Sequence, residues 1–221
     1  MLSLTEENYL KAIFHLEQTQ EKGVATNAIA EKMNTKASSV TDMMHKLSEK
    51  KLVVYKKYQG VKLTAEGTLK ATIIVRKHRL WECFLVDKLS FSWDEVHDIA
   101  EQLEHIKSEA LVDKLDQFLG FPTTDPHGDP IPDKDGKIHA RKKVELAALK
   151  ENQKSVLLSV NDSSDAFLRY LDKKEIAIGS LVKVMAIEPF DNSMLVKIDS
   201  NEHLITEEVA RNLLVKEIAN K

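Results

Sequence analysis

The stretch HDIAEQLEHIKS, His97 to Ser108, sets two histidines and three carboxylates in twelve residues of helical pattern. Positions three and four apart share a helix face, so His97, Glu101, Glu104 and His105 line one side. Val96, Ile99, Ala100, Leu103 and Ile106 line the other. Imidazole mixed with carboxylate is a donor set for a divalent transition metal. A merely solvated acidic face is the plain alternative. Upstream, HRLWE holds His78 and Glu82 four apart, again on one face. If the two helices pack side by side, His78, Glu82 and His97 close one cluster, and Glu101, Glu104 and His105 close another.

These groups do not form a recognisable catalytic pattern. A carboxylate-bridged di-iron bundle uses Glu-x-x-His, but residue 102 is Gln, so His105 lacks that partner. No HExxH, GxSxG, P-loop or GxGxxG occurs. The reading is therefore of a binding protein, not an enzyme.

The elements that must position these residues follow from pattern. A chain of 221 residues has room for two or three small domains. Hydrophobic content of 43% and charged content of 30% describe a folded globular chain. The single cysteine, Cys83, can form no internal disulfide and reads as an inert core thiol in a reducing compartment. No stretch approaches a membrane span and no signal-peptide pattern opens the chain, so the expectation is a cytoplasmic protein without a membrane partner.

Ser3 and Glu6 form a capping box ahead of an apolar stripe of Tyr9, Leu10, Ile13, Phe14 and Leu16. A short helix from Thr26 to Met33, a turn at Asn34 to Ala37 and a helix from Ser38 to about Lys50 follow. Ile29, Ala30, Met33, Val40, Met43 and Leu47 are spaced to pack the two helices together. LVVYKKYQGVKLT alternates about Gln59-Gly60, which predicts a β-hairpin. Helix–turn–helix plus hairpin is a winged helix–turn–helix. A long helix is predicted from Glu66 to Leu89, and another from Ser92, capped by Ser92 and Glu95. A third is predicted from Ser108. Four of the five prolines fall between Gly120 and Gly136, ending the helical part. After Lys154, short strands with tight turns, one short helix (EEVARNLL) and a last strand suggest a small β-barrel.

Net charge is −3, so nothing in the bulk composition points to nucleic acid. Locally, residues 36 to 62 hold seven lysines against two acids, a net of +5 on the second helix of the motif and its wing. Lys36, Ser38, Ser39, Thr41 and Lys46, with Thr5, are expected to face DNA. Lys56, Lys57 and Lys62 are expected on phosphates from the wing. Charge on these two elements together favours double-stranded DNA over an ordinary lysine-rich surface.

TEENYLKAIFHLE, SSVTDMMHKLSEKKLVVYKKYQGVKLTAEG, RKHRLWECFL, VHDIAEQLEH and DPHGDPIP stand in one order along the chain. In these motifs it resembles the diphtheria-toxin-repressor family of metal-dependent transcriptional regulators, over residues 3 to about 133 and more weakly beyond. The resemblance implies a mainly α fold with small β. Residues 1–72 would be the winged helix–turn–helix and 73–140 a helical dimerisation and metal-binding domain. Residues 141–221 would be a linker and an SH3-like (ferrous-transport-A-like) domain. It implies a homodimeric repressor of metal-uptake genes that binds operator DNA when loaded with metal.

The resemblance also maps an ancillary metal site onto His78, Glu82 and His97, and a regulatory site onto Glu101, Glu104 and His105 with Asn8. Iron-type members carry sulfur residues at positions 8 and 101, and manganese-type members carry carboxylates. Glu101 therefore points to Mn2+, with Fe2+ as the alternative and Zn2+ as a possible ligand in vitro. Lys11 stands where some manganese members have a further carboxylate. Asp125 and His127 stand where some members have a Cys-Pro-His secondary site. In iron-type members the SH3-like domain donates to the ancillary site; Ser163 and Ala166 fall there, with Asp162 and Asp165 nearby. The competing reading is a metal-independent transcription factor whose His/Glu faces are structural.

Overall fold

The computed structural model describes residues 2–20, 23–56, 59–139 and 141–218. Two compact units compose the chain. The first comprises Met1–Trp81, Ala100–Phe118 and Ile131–Ile138; the second comprises Glu82–Ile99, Leu119–Pro130 and His139–Lys221.

In the first unit, α1 (Leu4–Glu17) starts where the sequence predicts. The Ser3 hydroxyl accepts from the Glu6 amide, and the Glu6 carboxylate accepts from the Ser3 amide. Helices α2 (Thr26–Lys32) and α3 (Ala37–Glu49) and the hairpin β1 (Val53–Lys56) and β2 (Gly60–Leu63) complete the winged helix–turn–helix. Val24 exchanges both backbone hydrogen bonds with Val61, tying the loop before α2 to the wing. Tyr9, Leu10, Ile13, Ile29, Val40, Leu47, Val53 and Val61 fill the core. Met44, not Met43, is the fully buried methionine of α3, because 40, 44 and 47 form the inward row of this helix and Met43 lies to its side. Lys57 lies outside the described residues.

Helix α4 spans Ala65–Leu89, as its periodicity requires. Helix α5 is shorter than predicted, Val96–Leu103. At its start, Glu95 does reach back to the Ser92 amide, but residues 93–95 form a turn before the helix begins. At its end, the Glu104 amide still donates to Ala100, whereas the Ile106 amide donates to Leu103. That i→i−3 bond closes the last turn tightly. Glu104 and His105 thus leave the regular helix face on which their spacing placed them. Helix α6 (Glu109–Phe118) begins at Ser108, whose hydroxyl accepts from the Leu111 amide.

The second unit is built on a six-stranded antiparallel sheet of order β3-β8-β4-β5-β6-β7. Its strands are β3 (Val144–Glu145), β4 (Lys154–Val160), β5 (Leu181–Ile187), β6 (Met194–Ile198), β7 (Asn201–Ile205) and β8 (Leu213–Ile218). Leu157, Val182, Val184, Val196 and Val215 form its core with Leu168 and Leu171 of α7 (Asp165–Lys173). Helix α7 is absent from the sequence-based expectation, although Ser164 caps it through the Phe167 amide. A short helix, α8 (Glu207–Asn212), leads into β8 as predicted. The proline-rich loop meets β4 at Gly128. There φ is +84°, and a Cβ would lie 1.8 Å from the Leu158 carbonyl oxygen, so only glycine lets the backbone come this close. The expected fold class is the observed one: a mainly α chain with a winged helix–turn–helix, a helical middle and a small SH3-like sheet domain. Among the described residues no helix is long and apolar enough to cross a membrane.

Candidate metal centre and DNA-binding face

The first unit gathers ligand-type side chains from three helices and the turn after α5. Glu104 is fully buried. Its Oε2 lies 2.7 Å from His78 Nδ1 and accepts from Lys11 Nζ at 2.6 Å. Its Oε1 is buried without a hydrogen-bond partner and lies 3.9 Å from His105 Nε2. Asn8 Oδ1, on α1, is likewise buried without a partner. Glu101 pairs with the Lys11 ammonium.

Glu7, which the sequence reading did not single out, lies with its Oε2 2.6 Å from His105 Nδ1. An ionised carboxylate only accepts, so Nδ1 is the donor and Nε2 keeps its lone pair. Glu7 hides among the acids expected in any first helical turn. No spacing links it to residue 105.

A buried carboxylate oxygen without a partner is costly, and so is a buried amide oxygen. A divalent cation relieves both. Two donors each about 2.1 Å from one ion stand roughly 3–4 Å apart, so the separation of Glu104 Oε1 from His105 Nε2 suits a shared ion. The donors present therefore fit a metal. Their chemistry is nitrogen and oxygen with no sulfur, which suits Mn2+, Fe2+ or Zn2+.

The second unit holds a second group. Glu82, Asp125 and His127 are all buried, and their ligand atoms lie within 4.8 Å of one another. Glu82 Oε1 is 3.7 Å from His97 Nδ1 and 3.8 Å from His127 Nδ1. His127 Nε2 lies 2.8 Å from the Trp93 carbonyl oxygen. That oxygen only accepts, so Nε2 carries the proton and Nδ1 offers its lone pair toward Glu82. Asp125 Oδ1 accepts from the His127 and Asp129 amides, fixing the loop that presents His127.

These contacts do not follow the two clusters drawn from helical spacing. His78 bonds Glu104 of the other expected cluster, while Glu82 and His97 gather with the proline-loop pair Asp125 and His127. Asp162 accepts from the Ser164 amide, and Asp165 pairs with Arg169. Both belong to the start of α7. Cys83 is buried, with its sulfur 3.6 Å from the Thr124 carbonyl oxygen. Burial, reinforced by Asp125, Asp87 and Glu82, pushes its thiol well above the usual range.

The nucleic-acid face lies at the start of α3 and along the wing. No side chain caps α3, so its N-terminal amides stay available, and Lys36, Ser38 and Ser39 around them are exposed. A helix N-terminus of this kind favours phosphate. Thr5, Lys56 and Lys62 are also exposed. The Thr41 hydroxyl donates to its own helix, at the Ala37 carbonyl oxygen. Lys46 is partly committed, since it pairs with Glu6 Oε1 at 3.2 Å, beside Lys50 at 2.7 Å. Burial alone would raise the Glu6 pKa, but hydrogen bonds from Lys50, the Ser3 backbone and Lys46 outweigh it and hold the carboxyl at about 2. Glu6 thus caps α1 and anchors α3 at once.

A winged helix–turn–helix joined to a helical segment rich in buried imidazole and carboxylate defines a class of metal-binding DNA-binding regulator. Family profiles divide the chain the same way. The profile described as the iron dependent repressor N-terminal DNA binding domain matches residues 1–61. The iron dependent repressor metal binding and dimerisation domain matches 64–133, and the FeoA domain matches 144–217.

A solved manganese-dependent transcriptional repressor in complex with manganese is 35% identical, with a TM-score of 0.88 over 96% of this chain and 100% of that one. The diphtheria toxin repressor of Corynebacterium jeikeium (strain K411) is 32% identical over 149 residues, 66% of this chain and 61% of that protein. A probable metal transport system membrane protein of Chlamydia trachomatis (serovar D) is 43% identical over 89 residues, 40% of this chain and 20% of that protein. The matched part thus spans less than two thirds of these two sequence relatives. The chain belongs to the family of iron-dependent and manganese-dependent repressors typified by the diphtheria toxin repressor, a family of DNA-binding regulators and not of enzymes.

Proposed function

We propose that this chain is a Mn2+-activated repressor that binds double-stranded operator DNA as a homodimer and controls metal-uptake genes. The observation that carries the reading is the buried, unpartnered Glu104 Oε1 beside His105 Nε2, in the unit whose α1 also grips α3. A bound divalent ion would supply positive charge to Glu104, Glu101 and Asn8.

Residues 6 to 11 link the two ends of this unit. Glu6 holds Lys46 and Lys50 of α3, while Glu7 orients His105 and Lys11 pairs with Glu101 and Glu104. A change in the charge balance of the cage therefore bears on the helix that positions the DNA-reading element. Metal favours one arrangement only through its differential affinity for it.

The preference for Mn2+ over Fe2+ rests on hard donors: Glu101, Asn8 and Asp125 bring oxygen where a softer site would bring sulfur. The manganese-bound relative agrees with that preference. Zn2+ would bind the same imidazoles in vitro. The site ligands are Glu101, Glu104, His105 and Asn8 in the first unit, and Glu82, His97, Asp125 and His127 in the second. His78 orients Glu104. Exposed Leu69 and Ile73 on α4 and Leu111 and Phe118 on α6 supply apolar surface for the dimer. Metal-uptake targets accord with the likeness to part of a metal transport protein. Work on genomic DNA places the protein in the cytoplasm.

The test is selection of fragments from a genomic pool with and without Mn2+, Fe2+ and Zn2+. Enrichment of discrete fragments only with metal, strongest for Mn2+, is expected. Equal enrichment after chelation would overturn metal dependence.

A further inference from the structure

Lys11 sits on α1 with its side chain only 12% exposed. Its ammonium pairs with Glu101, lies 2.6 Å from Glu104 Oε2 and lies 3.4 Å from His78 Nδ1. Three ligand-type atoms thus converge on one fixed positive charge. Glu104 is divided between two surroundings. Its Oε2 side faces Lys11 and His78, and its Oε1 side is unpartnered and faces His105 Nε2.

We propose that Lys11 is a built-in cation. It occupies one of two cation positions in this cage, so that the first unit accepts a single divalent ion, on the Glu104 Oε1 and His105 side. The inference rests on the metal-sensing reading above and goes beyond it by fixing the number of ions and naming the residue that sets it.

The physical reason is charge and space together. A divalent cation held by Glu101, Glu104 Oε2 and the His78 ring would need the volume now taken by the ammonium. Two positive centres cannot share that volume. Lysine keeps its charge beside two carboxylates, since an opposite charge within a few ångströms favours the charged form. The tether matters as well. Because the ammonium belongs to α1, one cation of the cage cannot dissociate, and α1 stays attached to Glu101 and Glu104 before any metal arrives. Glu101 and Glu104 also escape the repulsion that two neighbouring carboxylates would otherwise feel without metal.

The experiment is a Mn2+ titration of the full chain followed by electron paramagnetic resonance, on wild type, Lys11→Gln and Lys11→Arg. Two Mn2+ ions a few ångströms apart couple and broaden the six-line signal; ions in separate sites do not. Wild type and Lys11→Arg are expected to show uncoupled Mn2+ at every loading. Lys11→Gln is expected to bind one more Mn2+ per protomer, with a coupled signal and a larger rise in Tm on Mn2+ addition than wild type. A coupled pair in wild type overturns the inference and leaves metal sensing standing. An unchanged stoichiometry in folded Lys11→Gln overturns it too. If wild type and Glu104→Ala bind Mn2+ identically, the cage is not a metal site and the proposed function fails with the inference.

Discussion

His105 Nδ1 lies 2.6 Å from Glu7 Oε2, so a carboxylate at the start of α1 fixes the tautomer of an imidazole ninety-eight residues later. The free lone pair of His105 then faces the unpartnered oxygen of Glu104. A residue of the DNA-binding segment thereby decides how a residue after α5 presents itself to a cation.

Glu7→Gln is expected to weaken Mn2+ binding by about 10- to 100-fold, the usual cost of losing a carboxylate that orients a ligand histidine. The protein should stay folded, because Gln keeps the volume. Isothermal titration of Mn2+ with parallel circular dichroism checks this; unchanged affinity would detach Glu7 from the site.

Glu104→Ala is expected to abolish metal-triggered DNA binding, because it removes both the unpartnered oxygen and the acceptor shared by Lys11 and His78. His78→Ala should keep a weakened response, as Glu104 and His105 remain. Fluorescence anisotropy of a labelled operator during Mn2+ titration separates the two variants. Equal losses would place His78 among the essential groups.

The Glu6 carboxyl is held at about 2, against 4.5 for an ordinary glutamate. A depressed folded-state pKa adds stability above the unfolded value, and that stability is lost as pH falls from about 4.5 toward about 2. Lys46 and Lys50 are substantially exposed, which screens the pair. Glu6→Gln is therefore expected to cost about 1–2 kcal/mol at pH 7. The gap to wild type should narrow at pH 3. Urea melts at the two pH values measure it, and a gap independent of pH would rule out the ion pair as its source.

Lys62→Ala on the wing is expected to weaken binding to every DNA sequence alike. It should lower the slope of log K against log salt by about 0.9, one phosphate contact. Lys36→Ala at the start of α3 should do the same. A slope equal to wild type for either variant would take that lysine off the DNA.

Cys83 should resist thiol reagents in the native protein and react at once in urea, because burial holds it as the neutral thiol. Rapid labelling under native conditions would contradict the buried placement.

Local pattern made much of this protein legible in its sequence. The capping box at Ser3 and Glu6, the rows of buried residues on α1 to α3, the hairpin about Gly60 and the length of α4 all follow from interactions within a few residues. Such interactions depend on spacing alone. The candidate ligands were legible for the same reason, since imidazole and carboxylate at intervals of three and four advertise themselves.

Tertiary structure decided which ligands belong together. Spacing put Glu104 and His105 on the face of an ideal helix, but α5 ends at Leu103, and a tight last turn sends Glu104 into full burial. Spacing likewise paired His78 with Glu82, their neighbours on α4, whereas their partners are Glu104 for the one and His97 and His127 for the other. Glu7 and Lys11 met the cage only through folding, because residues separated by some ninety positions share no periodicity. Helix α7 was missed because nine residues give a pattern too short to outweigh the strands around it. Chemistry can be read along the chain, but which charge neutralises which is a long-range property. Burial and distance fix it once the helices have packed.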